Sequence, residues 1–229
     1  MTKTTQEIFD FDLPAAMSGG DFIISDNNRE AIEWLAKHSE WSVPAFIIYG
    51  APACGKSHVC QIWQELTGAV KVTANNLDSE AWLENLQPNG FYVIDDLDLI
   101  LAGAEMRQKS VFHLYNFLFN EGGRVLVTST VAPKDIDLAL ADLQSRLRGA
   151  PAVAIGEPDD GTLHALFVKM FDDRQVNIKP EVIDFITPRI ERSYKAVRDT
   201  VTDLDGLSLK GKRAITIPLV REWLAAKKS

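Results

Sequence analysis

Residues 50–57 read Gly50-Ala51-Pro52-Ala53-Cys54-Gly55-Lys56-Ser57, and this G-x-x-x-x-G-K-[ST] spacing constrains the fold more than any other feature of the chain. The motif belongs where a strand runs into a tight loop and then a helix. Both flanks comply: Ala45–Tyr49 is a continuous β-prone apolar run, and Val59, Ile62, Trp63 and Leu66 recur on one helical stripe. Glycines at 50 and 55 let the backbone wrap closely around phosphate, and the amides that open the helix donate to it. Lys56 is read as a solvent-facing cation aimed at the outer phosphates, Ser57 as a holder of Mg²⁺, and the segment runs on through His58. Cys54 reads as a small loop residue. The competing reading, a glycine-rich turn with a chance Lys-Ser, explains neither flank.

The strand-then-helix rhythm recurs along the chain. Phe91–Ile94 ends at Asp95 and Arg124–Val127 ends at Thr128, with Val70–Thr73 and Ala152–Ile155 as weaker versions. Ala45–Tyr49, Phe91–Ile94 and Arg124–Val127 do not alternate polar with apolar residues, which marks parallel strands covered on both faces. Helical patterning predicts helices over Ala31–Lys37, Val59–Leu66 and Met106–Asn120, so a wound α/β parallel sheet follows. After Gly156, Glu157-Pro158-Asp159-Asp160-Gly161 reads as a turn-rich break. Only helices are predicted beyond it, over Thr162–Arg174, Pro180–Pro188, Arg192–Leu204 and Pro218–Ala226. Pro180 and Pro218 suit first-turn positions, where a missing amide proton costs little. The expected organisation is an amino-terminal tail over residues 1–20, an α/β nucleotide-binding domain over 21–156 and a small all-helical lid over 157–229.

Composition removes several classes. The 229 residues are 46% hydrophobic and 24% charged, as in an ordinary globular chain. Asp95, Asp96 and Asp98 interrupt the longest apolar candidate, 91–104, short of the roughly 18 to 20 residues of a membrane span. Met1–Gln6 carries one Lys with no apolar stretch behind it, so no secretory signal is read and the cytoplasm is expected. Cys54 and Cys60 lack the paired spacing of a zinc site. A net charge of −8 opposes strong autonomous binding to DNA.

Two carboxylates, Asp95 and Asp96, follow the run Phe91–Ile94 at the carboxyl edge where such sheets bind ligands. Asp95 would position Mg²⁺, and Asp96 would orient or polarise the attacking water. Thr128-Ser129-Thr130 ends the next run with hydroxyls, which either sense a terminal phosphate or cap a loop. Arg146 stands near a helix end before Gly149, either as an arginine finger for a neighbouring subunit's nucleotide or as a surface cation.

These pieces, in this order, resemble AAA+ ATPases, and among them the bacterial replication-initiator family of DnaA and its shorter relative Hda. Phe22-Ile23-Ile24 with Asn28 resembles the entry segment that lines the adenine pocket. Ile94-Asp95-Asp96, then Ala102-Gly103 and Gln108-Lys109-Ser110-Val111-Phe112, resembles the Walker B strand and the helix after it. Val125–Thr130 is similar to the sensor 1 strand, and Leu143-Gln144-Ser145-Arg146-Leu147 to the arginine-finger segment. Val197-Arg198-Asp199 resembles sensor 2, which implies that Arg198 reaches the phosphates; an exposed helical cation is the alternative. Bound ATP or ADP with Mg²⁺ is implied. Thr130 stands where the initiators carry an acidic or amide residue, and Asp96 is shorter than the Glu of most AAA+ enzymes. Asp is normal at that position within the initiator family, and weak intrinsic hydrolysis is implied.

The initiators continue past the lid into a DNA-binding domain, whereas this sequence stops at Ser229. The resemblance therefore implies the Hda branch, whose members carry an amino-terminal motif for the DNA polymerase sliding clamp. Gln6-Glu7-Ile8-Phe9-Asp10-Phe11 offers Gln6, Phe9 and Phe11 for that role, although Glu7 departs from the usual apolar second position. A tail whose aromatics pack on the core is the alternative. The function expected is a nucleotide-bound regulator that docks on the clamp and promotes hydrolysis of DnaA-bound ATP, with self-association possible. An ATP-dependent helicase loader or DNA-remodelling module is the second reading, and a small-molecule kinase the third.

Overall fold

Three of the five strands face two cores at once, which is why their sequences show no polar alternation. The computed structural model describes residues 24–25 and 27–227. Strands β1 (Ala45–Tyr49), β2 (Val70–Val72), β3 (Phe91–Ile94), β4 (Arg124–Ser129) and β5 (Ala152–Ala154) form a parallel sheet in the order β2-β3-β4-β1-β5. In β1, Ala45 and Ile47 point into one buried cluster, and Phe46 and Ile48 into the other. Tyr92 and Ile94 of β3 and Val125 and Val127 of β4 join the first cluster, Val93 and Leu126 the second. Side chains alternate faces with period two, so a strand covered on both sides must be apolar throughout.

Helices close each face. Helices α1 (Arg29–Ala36) and α2 (Lys56–Thr67) supply Ile32, Leu35, Val59, Ile62 and Trp63 to the second cluster. The short α3 (Ala74–Leu77), α4 (Glu80–Glu84) and α5 (Leu97–Leu101) follow, then α6 (Glu105–Glu121) and α7 (Ala141–Arg148). Leu97, Leu101, Leu114, Leu118, Leu143 and Leu147 from α5, α6 and α7 fill the first cluster. The indole of Trp63 donates to the Tyr92 carbonyl at 2.9 Å, which satisfies its one polar atom inside the core.

The tail half is helical: α8 (Asp160–Asp172), α9 (Pro180–Ile186), α10 (Tyr194–Gly211) and α11 (Ile217–Lys227). Leu163, Phe167, Ile183, Val201, Leu204 and Val220 pack into a third cluster drawn from these helices. Asp159, read above as part of a break, is the cap of α8; its carboxylate accepts the Thr162 amide at 2.7 Å. No helix among the described residues is long and apolar enough to cross a membrane. This is the AAA+ architecture, a wound parallel sheet followed by a helical lid.

The predicted strands β1 and β3 match their observed bounds, while β4 runs on through Thr128 and Ser129, both buried. Topology then places the site. From β1 the chain crosses to the far edge at β2, whereas from β4 it passes over β1 to β5. The connections diverge between β4 and β1, and the carboxyl ends of β3, β4 and β1 lie side by side there.

Candidate nucleotide site

Gly50 leaves β1 with its amide donating to the Ser129 carbonyl at 3.2 Å. A Cβ at this position would sit 2.2 Å from the Ile155 carbonyl oxygen, so glycine is required by close backbone approach. Ala53 turns through a positive φ of 63°, and Gly55 caps α2 at φ 111°. The loop thus brings the opening amides of α2 to the sheet edge, the arrangement that binds anions. Cys54 points inward, is buried, and is kept a thiol by that burial against the pull of Lys56.

Lys56 is not solvent-facing. It is 5% exposed, and its ammonium donates to the carbonyls of Gly50 at 2.9 Å and Ala51 at 3.0 Å. It also stands 3.9 Å from Asp96 Oδ1. The sequence motif carries its identity but not this folded-back pose, which depends on carbonyls five and six positions earlier in the chain.

One hydroxyl holds the Asp95 carboxylate and the Asp96 backbone after β3. Thr128 Oγ1 donates to Asp95 Oδ1 at 2.6 Å and accepts the Asp96 amide at 2.8 Å. Cys60 adds a weak thiol donor to the same Asp95 oxygen at 3.6 Å, and burial with the Asp95 charge pushes its own pKa well up. Asp96 itself sits in the left-handed region, φ 52° and ψ 53°, which the Thr128 contact helps to hold. Burial first, then the Asp95 charge, raises the Asp96 carboxyl above its usual range, with Lys56 opposing. Asp98 accepts both the amide and the hydroxyl of Thr130.

A cavity of about 460 Å³ opens over this edge. Pro52, Ala53, Gly55, Lys56, Ser57 and His58 form its loop wall, and Asp96, Leu99 and Thr130 its sheet wall. Tyr194, Lys195, Arg198 and Asp199 of α10 close it from the lid. The residues present fit a nucleoside phosphate: a loop that carries the opening amides of α2, with Lys56 in the loop wall and Arg198 of α10 on the lid side. Of the two residues read as Mg²⁺ holders, Ser57 lines the cavity, whereas Asp95 does not line it and its Oδ1 accepts from Thr128 and Cys60, so Mg²⁺ would need phosphate oxygens and water as further ligands. Among the described residues no group of three or more His, Cys, Asp or Glu side chains could hold a metal by itself. A larger hollow of about 640 Å³ lies between α10 and α11, but no residue of the 50–57 loop lines it.

Arg146 is placed elsewhere. It is exposed on α7, with its guanidinium 5.6 Å from the ring centroid of Tyr115 on α6, and it does not line the loop cavity. Asn28 is buried at the start of α1; its amide oxygen accepts from the Ser25 amide at 3.0 Å and its nitrogen donates to the Tyr194 hydroxyl at 3.2 Å. Phe22 and Ile23, and Gln6, Phe9 and Phe11, lie outside the described residues. Sequence reasoning missed Tyr194, Lys195, Asp98 and Leu99. Only Ser193, a cap just before an amphipathic stretch, signalled that a helix would start at this point.

Two family models match the chain: the bacterial DnaA ATPase domain over residues 64–154 and the Hda lid domain over 159–224. An uncharacterized protein of Haemophilus influenzae is 26% identical over 209 residues, covering 87% of this chain and 90% of that protein. The chromosomal replication initiator protein DnaA of Thermomicrobium roseum is 24% identical over 225 residues, 89% of this chain but 48% of the initiator. The chain thus spans about half of that relative's length. Domain III of DnaA from Thermotoga maritima shares the fold with a TM-score of 0.76 at 18% identity, covering 89% of this chain and 95% of that one. Along most of its length, in a DnaA-type ATPase segment followed by an Hda-type lid, this chain is similar to the DnaA/Hda proteins, and it shares their AAA+ fold.

Proposed function

We propose that this protein is a cytoplasmic, nucleotide-binding regulator of bacterial chromosome replication initiation. Together with the DNA-loaded sliding clamp, it promotes hydrolysis of ATP bound to DnaA and so restrains initiation. The observation that carries this reading is the separation of its two chemistries. The loop cavity gathers groups suited to holding a nucleotide, while Arg146 is presented outside that cavity on an exposed helix face. A guanidinium keeps its charge and can enter a partner's site, where it stabilises negative charge developing on the transferred phosphoryl group. The Tyr115 ring beneath Arg146 limits the rotamers it must give up on docking.

Within its own site the protein is suited to holding a nucleotide more than to turning it over. Lys56 and the opening amides of α2 bind phosphate, Arg198 approaches from the lid, and Asp96 orients water. Mg²⁺, when bound by Ser57 and Asp95, neutralises phosphate charge. The Thr130 hydroxyl donates to Asp98, so its proton is not directed at a terminal phosphate, which supports weak intrinsic hydrolysis. The amino-terminal Gln6, Phe9 and Phe11 supply the clamp contact in this reading. A reconstituted assay tests it: DnaA carrying ATP is mixed with DNA-loaded clamp, with and without this protein, and loss of bound ATP is followed. Clamp-dependent acceleration supports the reading. Unchanged hydrolysis together with helicase capture and tight single-strand binding would favour a loader instead.

A further inference from the structure

One side chain joins three segments that are far apart in the chain. Tyr194 is the first residue of α10 and is 6% exposed. Its ring edge lies against Gly55, where an added Cβ would stand 3.1 and 3.2 Å from ring carbons Cε2 and Cδ2. Its ring also stacks on His58 of the first turn of α2, centroids 6.3 Å apart and planes 19° from parallel. Its hydroxyl takes the Asn28 amide, whose own oxygen holds the Ser25 amide, and Asn27 donates onward to the Gly156 carbonyl at 3.2 Å where the lid begins. One helical turn further on, Arg198 lies on the same face of α10 as Tyr194 and lines the cavity.

We propose that Tyr194 is a positioning residue, a latch that sets the attitude of the lid over the phosphate loop and so governs how long a nucleoside diphosphate stays bound. This rests on the reading of the cavity as a nucleotide site. Phosphate settling on the opening amides of α2 fixes Gly55 and His58, which are the surface that the Tyr194 ring grips. The ring then holds α10 with Arg198 inward, and the hydroxyl ties α10 to the segment before α1. Asn28 acts through this bond, because both ends of its amide are engaged by Ser25 and Tyr194. Loop, lid and entry segment are therefore expected to tighten together.

The test compares wild type, Tyr194→Phe, Tyr194→Ala, Asn28→Ala and the Tyr194→Phe/Asn28→Ala pair. The readouts are MgADP release by stopped flow and hydrogen exchange of residues 24–28 and 193–199 with and without MgADP. Tyr194→Phe keeps the ring but loses the hydroxyl, so release should quicken roughly three- to tenfold, the worth of one net hydrogen bond. MgADP should then still protect 50–57 but protect 24–28 less. Asn28→Ala should do at least as much, because it also frees the Ser25 amide, the pair should be no worse than Asn28→Ala alone, and Tyr194→Ala should be worst. Additive effects of the pair, or wild-type release from Tyr194→Ala, would overturn the proposal. Should wild type bind no MgADP, the cavity reading fails by itself. The nucleotide-free exchange then decides the latch, which stands if Tyr194→Phe speeds exchange at 24–28 and falls if it does not.

Discussion

Lys56 carries two duties at once. Its ammonium is the charged group of the phosphate loop, and it also ties the loop shut through the Gly50 and Ala51 carbonyls. Lys56→Ala should therefore remove most nucleotide affinity and also cost the nucleotide-free protein about 1.5–3 kcal/mol, the range for hydrogen bonds that involve a charged group. Affinity from calorimetry and stability from urea unfolding separate the two; unchanged affinity would remove the phosphate-binding assignment. The lysine's identity was legible from spacing alone. Its partners were not, and neither was the Thr128 hydroxyl that bridges Asp95 and Asp96, because a hydroxyl at a strand end serves capping as readily as site geometry.

Helix α8 depends on one carboxylate. The Thr162 hydrogen bonds hold the Asp159 carboxyl below the usual range, so its stabilising effect is fully present above the unfolded value of about 3.9 and is lost as pH falls through the folded one. Asp159→Ala should cost about 0.5–2 kcal/mol at pH 7. The gap between wild-type and variant melting midpoints should then close on acidification through that window; a gap that is flat with pH would mean the carboxylate charge is not what caps the helix. At this scale the sequence is informative wherever burial repeats over several residues, as in β1, β3 and α2. Periodicity does not register Ala74–Leu77, Glu80–Glu84 or Leu97–Leu101, each a turn or so long. Asp159 and its neighbours have the composition of a turn, because the same short polar side chains both break chains and cap helices.

Across the whole molecule, the sheet order brings three strand ends together and the lid covers them, a juxtaposition that local pattern cannot encode. Tyr194 and Asn28 are 166 positions apart, so their bond was invisible before folding. The proposed function also needs a tether. Replacing Gln6, Phe9 and Phe11 by Ala should weaken clamp binding at least tenfold, about 1.4 kcal/mol, in surface plasmon resonance. Retained binding would move the clamp contact elsewhere. The central claim, that this protein acts on a partner's nucleotide through Arg146, is tested most directly by Arg146→Ala in the reconstituted DnaA-bound ATP assay with saturating DNA-loaded clamp. The account predicts that the variant keeps nucleotide and clamp binding while stimulation falls by roughly 10³ or to the unstimulated rate. Wild-type stimulation by Arg146→Ala would contradict it.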